Sequence, residues 1–302
     1  MKAAVLYQYN EPLTIENIDI DKPKRGEVLV KMAASGVCHT DLSVLNATLP
    51  FPPPPVVLGH EGAGVVTEVG PDVTAVQTGD HVILSWRPFC GKCGYCATGR
   101  THLCQTVGMS LLQGYLLDNT SRLHKGDTEI RHFIGVSSFA EYAVIPESGV
   151  VKIRTDVPLE VAALVGCGVM TGVGAAIRTA KVEPGSSVVV IGCGGVGLNV
   201  IQGAVLAGAE KIIAVDLNTM KLDLARQFGA THVVNPADGD PVLQVLGLTE
   251  MLGADYAFEA IGRGDTALQA YNSIRPGGTA VIVGVAKADE VIAIPALSIL
   301  QE

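Results

Sequence analysis

Cys90, Cys93, Cys96 and Cys104 fall in the spacing C-x2-C-x2-C-x7-C, and few arrangements other than a metal-held lobe ask for it. Zinc prefers four soft ligands in a tetrahedron, and thiolates two residues apart can turn back onto one ion. Gly91, Gly94 and Ala97 lie between them, small enough to let the backbone close tightly. The chain has seven cysteines, an odd number. Its first residues, Met1–Gln8, show no apolar core or cleavage signal. Reduced thiols binding metal are therefore expected rather than disulfides. Four thiolates close the coordination sphere, so a zinc held here is structural.

The rest of the chain changes texture part-way along. Residues 1–168 read as β-rich and irregular, with strands at Glu27–Met32, Gly64–Val69 and His81–Leu84. Pro52–Pro55 can be neither helix nor central strand and is expected to be a rigid loop. Residues 87–136 are expected to hold the cysteine lobe and a polar loop. Beyond Ser187 strands and helices alternate. Strands are expected at 187–191, 211–215, 231–234, 255–258 and 279–283, with helices at 195–208 and 219–228 between them. Repeated β-α units demand a parallel sheet covered by helices on both faces. The 302 residues are enough for two domains, and the expected division is 1–168 and 169–302. The two-halved dinucleotide fold usually has six strands. Five are readable, so the last strand is expected to be missing and the chain to stop early.

Gly192-Cys193-Gly194-Gly195-Val196-Gly197 is a dinucleotide-type glycine loop. It follows an expected strand, opens an expected helix, and is answered by Asp216 at the end of the next strand, which is the context the motif requires. The glycines allow a tight turn and close approach of a pyrophosphate to the helix N-terminus. Asp216 would accept hydrogen bonds from the ribose hydroxyls and repel a 2′-phosphate, which favours NAD over NADP. A second possible metal set, Cys38, His60-Glu61 and Cys167, is weaker on spacing alone, since a lone cysteine or histidine is more often structural. If it forms, two thiolates and an imidazole leave a fourth position open, as a catalytic zinc requires. Formal net charge is −9, without a basic stripe, which argues against nucleic acid and anionic membrane as partners. The most apolar stretch, Val188–Leu206, is interrupted by glycines, Asn199 and Gln202, and reads as a buried strand and helix rather than a membrane span.

These strings together resemble the zinc-containing medium-chain alcohol dehydrogenases, in particular their class III-like branch. The matching segments are Gly36-Val37-Cys38-His39-Thr40-Asp41, Gly59-His60-Glu61-Gly62-Ala63-Gly64, the four-cysteine lobe, Gly166-Cys167-Gly168, Gly192–Gly197 and Asp216-Leu217-Asn218. The resemblance implies a GroES-like catalytic domain followed by a doubly wound Rossmann sheet. It implies a catalytic zinc on Cys38, His60 and Cys167, with Glu61 able to bind the metal transiently, and a structural zinc on the lobe. It further implies that Thr40 hydrogen-bonds the substrate oxygen and starts a proton relay, and that Asp41 orients His60. His39 matches a position near the cofactor pyrophosphate, and Lys221 one near the adenosine ribose. Thr171 and Val196 match residues against the nicotinamide, with Gly192, Gly194, Gly195, Gly197 and Asp216 completing the NAD site. A cytoplasmic homodimer or homotetramer with a small alcohol or aldehyde substrate follows from the same resemblance.

Three positions depart from the relatives. Ser43 stands where several have the histidine that ends the proton relay. Gly108 stands where glutathione-dependent formaldehyde dehydrogenases carry an arginine that binds an anionic substrate carboxylate. Trp86 matches a pocket-lining position, though an ordinary core aromatic fits it nearly as well. The expected activity is NAD-linked oxidation of a primary aliphatic or aromatic alcohol. The alternatives are a thiol-adduct, formaldehyde-type dehydrogenase and a non-catalytic homologue that binds NAD and zinc. A zinc-free quinone reductase of the same superfamily conflicts with the cysteines.

Overall fold

The computed structural model describes residues 1–301. It divides into two compact units, Met1–Cys167 and Gly168 onward.

In the first unit the chain runs through β1 (Lys2–Leu6), β2 (Thr14–Asn17), β3 (Asp19–Ile20), β4 (Glu27–Gly36), α1 (His39–Leu45), β5 (Val56–Val57), β6 (Glu61–Val69) and β7 (His81–Leu84). It continues through α2 (Gly94–Ala97), α3 (Gln105–Gln113), β8 (Leu123–Lys125), β9 (Thr128–His132), β10 (Tyr142–Pro146), β11 (Val150–Lys152) and α4 (Leu159–Ala162). Two sheets result, ordered β2-β1-β5-β9-β8-β3 and β10-β4-β6-β7-β11. Val28, Val30, Val66, Val82, Leu84, Ala143, Ile145 and Val150 point inward from the second sheet and form its core. Trp86 packs on that core, with Arg87 stacked over its ring at 4.6 Å, so the structure places it as a core aromatic. Pro52–Pro55 lies outside helix and strand, as expected.

The polar loop expected across residues 87–136 is instead partly regular. Helix α3 follows the last lobe cysteine, and β8 pairs with β9 as a hairpin, Leu123 opposite Ile130. Sparse apolar residues fix both elements: Val107 and Leu111 pack on Cys104, while Leu123 and Ile130 join Val5 and Val57. Arg122, on the way into β8, is fully buried. Its Nε donates to Glu27 Oε2 at 2.9 Å, its Nη2 to Glu27 Oε1 at 2.5 Å and to Asp118 Oδ2 at 2.8 Å. Its backbone N–H donates to His132 Nε2 at 3.0 Å. The proton of His132 is thereby placed on Nδ1, which is buried without a hydrogen-bond partner among the described residues. Burial, with the Arg122 charge beside it, pushes the His132 ring down to about 3.

The second unit holds α5 (Gly168–Gly174), β12 (Ser187–Ile191), α6 (Gly195–Leu206), β13 (Lys211–Val215), α7 (Thr219–Gln227) and β14 (His232–Val234). After these come α8 (Pro241–Leu248), β15 (Ala254–Glu259), α9 (Gly264–Asn272), β16 (Ile274–Ile282) and α10 (Ala296–Gln301). Its sheet is parallel and ordered β14-β13-β12-β15-β16. The unbroken apolar strand sequences have a direct cause. Val188, Val190, Ile212 and Ala214 enter one core with Val200 and Leu222. Val189, Ile191, Ile213 and Val215 enter another with Val245 and Ala270. Each strand is thus covered on both faces. The chain builds outward from β12 on one side and then the other, so the end of β12 is the topological switch point, where such sheets bind ligands. The expected strand 279–283 is longer, beginning at Ile274. Its pairing with β15 breaks between Ala254 and Tyr256 and resumes opposite Thr279, because Pro276 has no N–H to give and Gly277 turns with a positive φ.

Candidate functional site

The second metal set, weak in the sequence, is assembled by the fold. Register shifts along β4 and β6 leave Gly36 paired with Glu61, so the chain leaving β4 toward Cys38 lies beside the chain entering β6 from His60. Ala162 and Ala163, at the end of α4, pack on Ala63 and Ile83 and lead the chain to Cys167. One ligand atom each from Cys38, His60, Glu61 and Cys167 then lies within 4.8 Å of the others. His60, Glu61 and Cys167 are buried.

Asp41 holds this arrangement. Cys38 is the N-cap of α1, and Asp41, three residues on, closes a capping box: the Cys38 N–H donates to Asp41 Oδ2 at 3.0 Å. The other oxygen, Oδ1, accepts from the Gly59 N–H at 3.0 Å and from His60 Nδ1 at 3.2 Å. With the Nδ1 proton given to Asp41, Nε2 is left as the lone-pair nitrogen of the neutral ring, the atom able to bind a metal. Phe133 meets the imidazole edge-on, with centroids 5.4 Å apart. Hydrogen bonding with Cys167 lowers the Cys38 thiol, against the effect of burial, with His60 and Thr40 adding to it. Burial opposes charge on His60, but Asp41 and Cys38 outweigh it and raise the ring. Two soft sulfurs, one imidazole nitrogen and a carboxylate within one short radius fit a zinc ion with one changeable position. Thr40 Oγ1 is 3.5 Å from Cys38 Sγ, placing a hydroxyl beside the set. Ser43 is buried on α1.

The lobe is equally well formed. Cys93 Sγ lies 3.5 Å from Cys96 Sγ and 3.9 Å from Cys104 Sγ, and a tetrahedron with zinc–sulfur bonds of about 2.3 Å has edges of about 3.8 Å. The Cys90 N–H donates to Cys104 Sγ and the Cys93 N–H to Cys90 Sγ, both at 3.4 Å. The Thr106 hydroxyl, with nearby backbone N–H groups, lowers the Cys90 thiol to about 6, whereas burial raises Cys96 to about 12. All seven cysteines are free of disulfides.

In the second unit the glycine loop closes the turn after β12. Gly192 has φ +94°. A Cβ on Gly197 would sit 1.8 Å from the Gly192 carbonyl oxygen, so only glycine lets α6 approach the strand. A Cβ on Gly194 or Gly195 would meet nothing within 4 Å, which leaves the face of the helix N-terminus open to an anion. Asp216 Oδ2 accepts the Cys193 N–H at 2.8 Å, and Oδ1 accepts the Asn218 N–H at 2.9 Å. Lys221 Nζ is 3.9 Å from Asp216. Cys193 itself is buried. Thr171 lies on α5, which presses on α6 at Gly172, where a Cβ would come 2.4 Å from the Val196 carbonyl oxygen. His39 is exposed at the start of α1. The sequence reading missed the Gly59 and Cys193 N–H groups and the Phe133 ring, because neither backbone donors nor a lone aromatic far along the chain leave a spacing signal.

Residues 24–155 match the family of the alcohol dehydrogenase GroES-like domain, and residues 195–302 that of the zinc-binding dehydrogenases. The class-3 alcohol dehydrogenase of Cereibacter sphaeroides is 46% identical over 296 residues, covering 95% of this chain and 79% of that protein. The chain belongs to the zinc-containing medium-chain alcohol dehydrogenases. It is accordingly an oxidoreductase of a zinc-binding, NAD-dependent family. Among the same alcohol dehydrogenases, the S-(hydroxymethyl)glutathione dehydrogenase of Synechocystis is 46% identical, covering 96% of this chain and 79% of its own length. The crystal structure of benzyl alcohol dehydrogenase from Acinetobacter calcoaceticus superposes with a TM-score of 0.93 at 38% identity, over 99% of this chain and 81% of that one. No single helix among the described residues is long and apolar enough to cross a membrane.

Proposed function

We propose that this chain oxidises a primary carbinol, R–CH2–OH, to the aldehyde with NAD+ as hydride acceptor. The convergence of Cys38, His60, Glu61 and Cys167 carries the proposal. A zinc ion held there by Cys38, His60 and Cys167 would supply Lewis-acid stabilisation of negative charge on the substrate oxygen. Asp41 keeps His60 in the tautomer that presents Nε2 outward. Thr40 offers a hydroxyl that can accept the proton of the alcohol and pass it on. The open N-terminus of α6 receives the cofactor pyrophosphate, and Asp216, held by two backbone N–H groups, receives the ribose hydroxyls. The lobe keeps its surroundings folded and takes no part in turnover. Two zinc ions per chain and a cytoplasmic setting belong to the same proposal.

The identity of R divides two readings. The names of the sequence relatives favour an S-hydroxymethyl thiol adduct, which is itself a primary carbinol. Gly108 favours an uncharged R. It lies on α3 where a Cβ would meet nothing within 4 Å, so space does not forbid a cationic side chain there, and none is present. NADH formation should be measured with the zinc-loaded protein on benzyl alcohol, on a short aliphatic primary alcohol, and on formaldehyde with and without glutathione. Turnover of the free alcohols without thiol supports an uncharged R. Turnover that requires glutathione selects the adduct, and none with any of them defeats the proposal.

A further inference from the structure

Gly36 and Glu61 are directly paired across the β4–β6 ladder. A Cβ built on Gly36 would lie 2.1 Å from Glu61 Oε2, 3.0 Å from Glu61 Cβ and 3.0 Å from Leu164 Cδ2. Non-bonded atoms settle at about 3.5 Å or more, so the carboxylate occupies the volume that any other residue at 36 would fill with its own side chain. The backbone of Gly36 is not in the left-handed region. Space against the carboxylate, not backbone conformation, is therefore what asks for glycine, a residue that otherwise weakens a strand.

We propose that Gly36 is a positioning residue: the volume left by its missing side chain is the seat of the Glu61 carboxylate, and that seat fixes where the carboxylate stands relative to a metal on Cys38, His60 and Cys167. The proposal rests on the metal centre inferred above. With the seat open, the carboxylate rests against β4 as a reserve ligand beside the changeable position. A methyl group in the seat displaces Oε2 by more than about 1 Å. The displaced atom is the tip of a flexible side chain, so strand pairing survives and the carboxylate moves toward the changeable position, where it would compete with water or substrate for a bound metal.

The test is cobalt(II) substitution read by visible absorption, with Cys38→Ser as the blank for cobalt in the lobe. Wild type should show a four-coordinate ligand-field spectrum. Gly36→Ala should shift that spectrum and slow cobalt release to a chelator by at least tenfold. In the Glu61→Ala background, the same glycine substitution should change neither. Glu61→Asp, one methylene shorter, cannot place a carboxylate oxygen where Oε2 stands and should shift the spectrum with Gly36 intact, which keeps the test decisive if Gly36→Ala does not fold. A Gly36→Ala spectrum identical to wild type, or a shift that persists undiminished without Glu61, overturns the proposal. Absence of any cobalt signal above the blank in wild type overturns the metal centre itself, a distinct failure.

Discussion

The two cysteine-bearing sets of the first unit are built in opposite ways. The lobe draws all four ligands from residues 90–104, and its hydrogen bonds run among its own sulfurs and N–H groups and to Thr106, two residues beyond. The other set takes its ligands from residues 38, 60, 61 and 167 and depends on an outside carboxylate, Asp41, to join a helix cap to an imidazole. Four thiolates leave a cation nothing further to bind. Two thiolates and an imidazole, with a carboxylate seated to one side, leave it a position to exchange. Local closure gives structure, and assembly at long range gives reactivity.

Substitutions should separate the two sets, the largest effect coming from the open one. Cys38→Ser is expected to lower turnover at least about a thousandfold, removing one of two zinc ions, with near-unchanged thermal unfolding; elemental analysis beside the NADH assay checks both halves, and a large loss of stability would break the distinction. Cys104→Ser should do the reverse. It removes the other zinc and lowers unfolding free energy by at least about 3 kcal/mol, since a structural zinc contributes folding energy outright, while the remaining folded protein still binds one metal at Cys38. Asp41→Asn keeps the shape but weakens the hold on His60, and metal affinity by competition with a chelator should fall about 10- to 100-fold.

The smallest expected effect tests a buried histidine that belongs to neither set. His132 is held down to about 3 in the folded chain, below its unfolded value of about 6.5. The unfolded chain therefore binds the extra proton between those values, and stability falls as pH drops below about 6.5, by up to about 1.4 kcal/mol per pH unit, until about pH 3. Urea unfolding of wild type and His132→Gln at pH 7.5 and 5.5 should show a shallower loss in the variant. Equal losses would mean that this ring does not set the acid sensitivity.

What could be read in the sequence follows the same contrast. The lobe declared itself by spacing, and β12 to β15 by apolar runs that the structure splits between two cores. Cys38, His60 and Cys167 carried little signal of their own, because the register of β4 on β6 and the docking of α4 bring them together, and neither is written in local spacing. Resemblance to a family supplied what periodicity could not. The hairpin at 123–132 was hidden because two buried residues, Leu123 and Ile130, hold it within a polar stretch. The start of β16 was hidden by Pro276 and the two glycines after it.

The contiguity of the lobe also sets an order in time. Its last ligand is Cys104, so a chain emerging from the ribosome carries a complete four-sulfur site well before Cys167 has been made. Until Cys167 is made, only the lobe can offer a cation its full set of ligands. In refolding of the whole chain the short loop 90–104 closes at less entropic cost than 38–167, so limiting zinc should enter in two uptake phases, the slower one absent in Cys38→Ser.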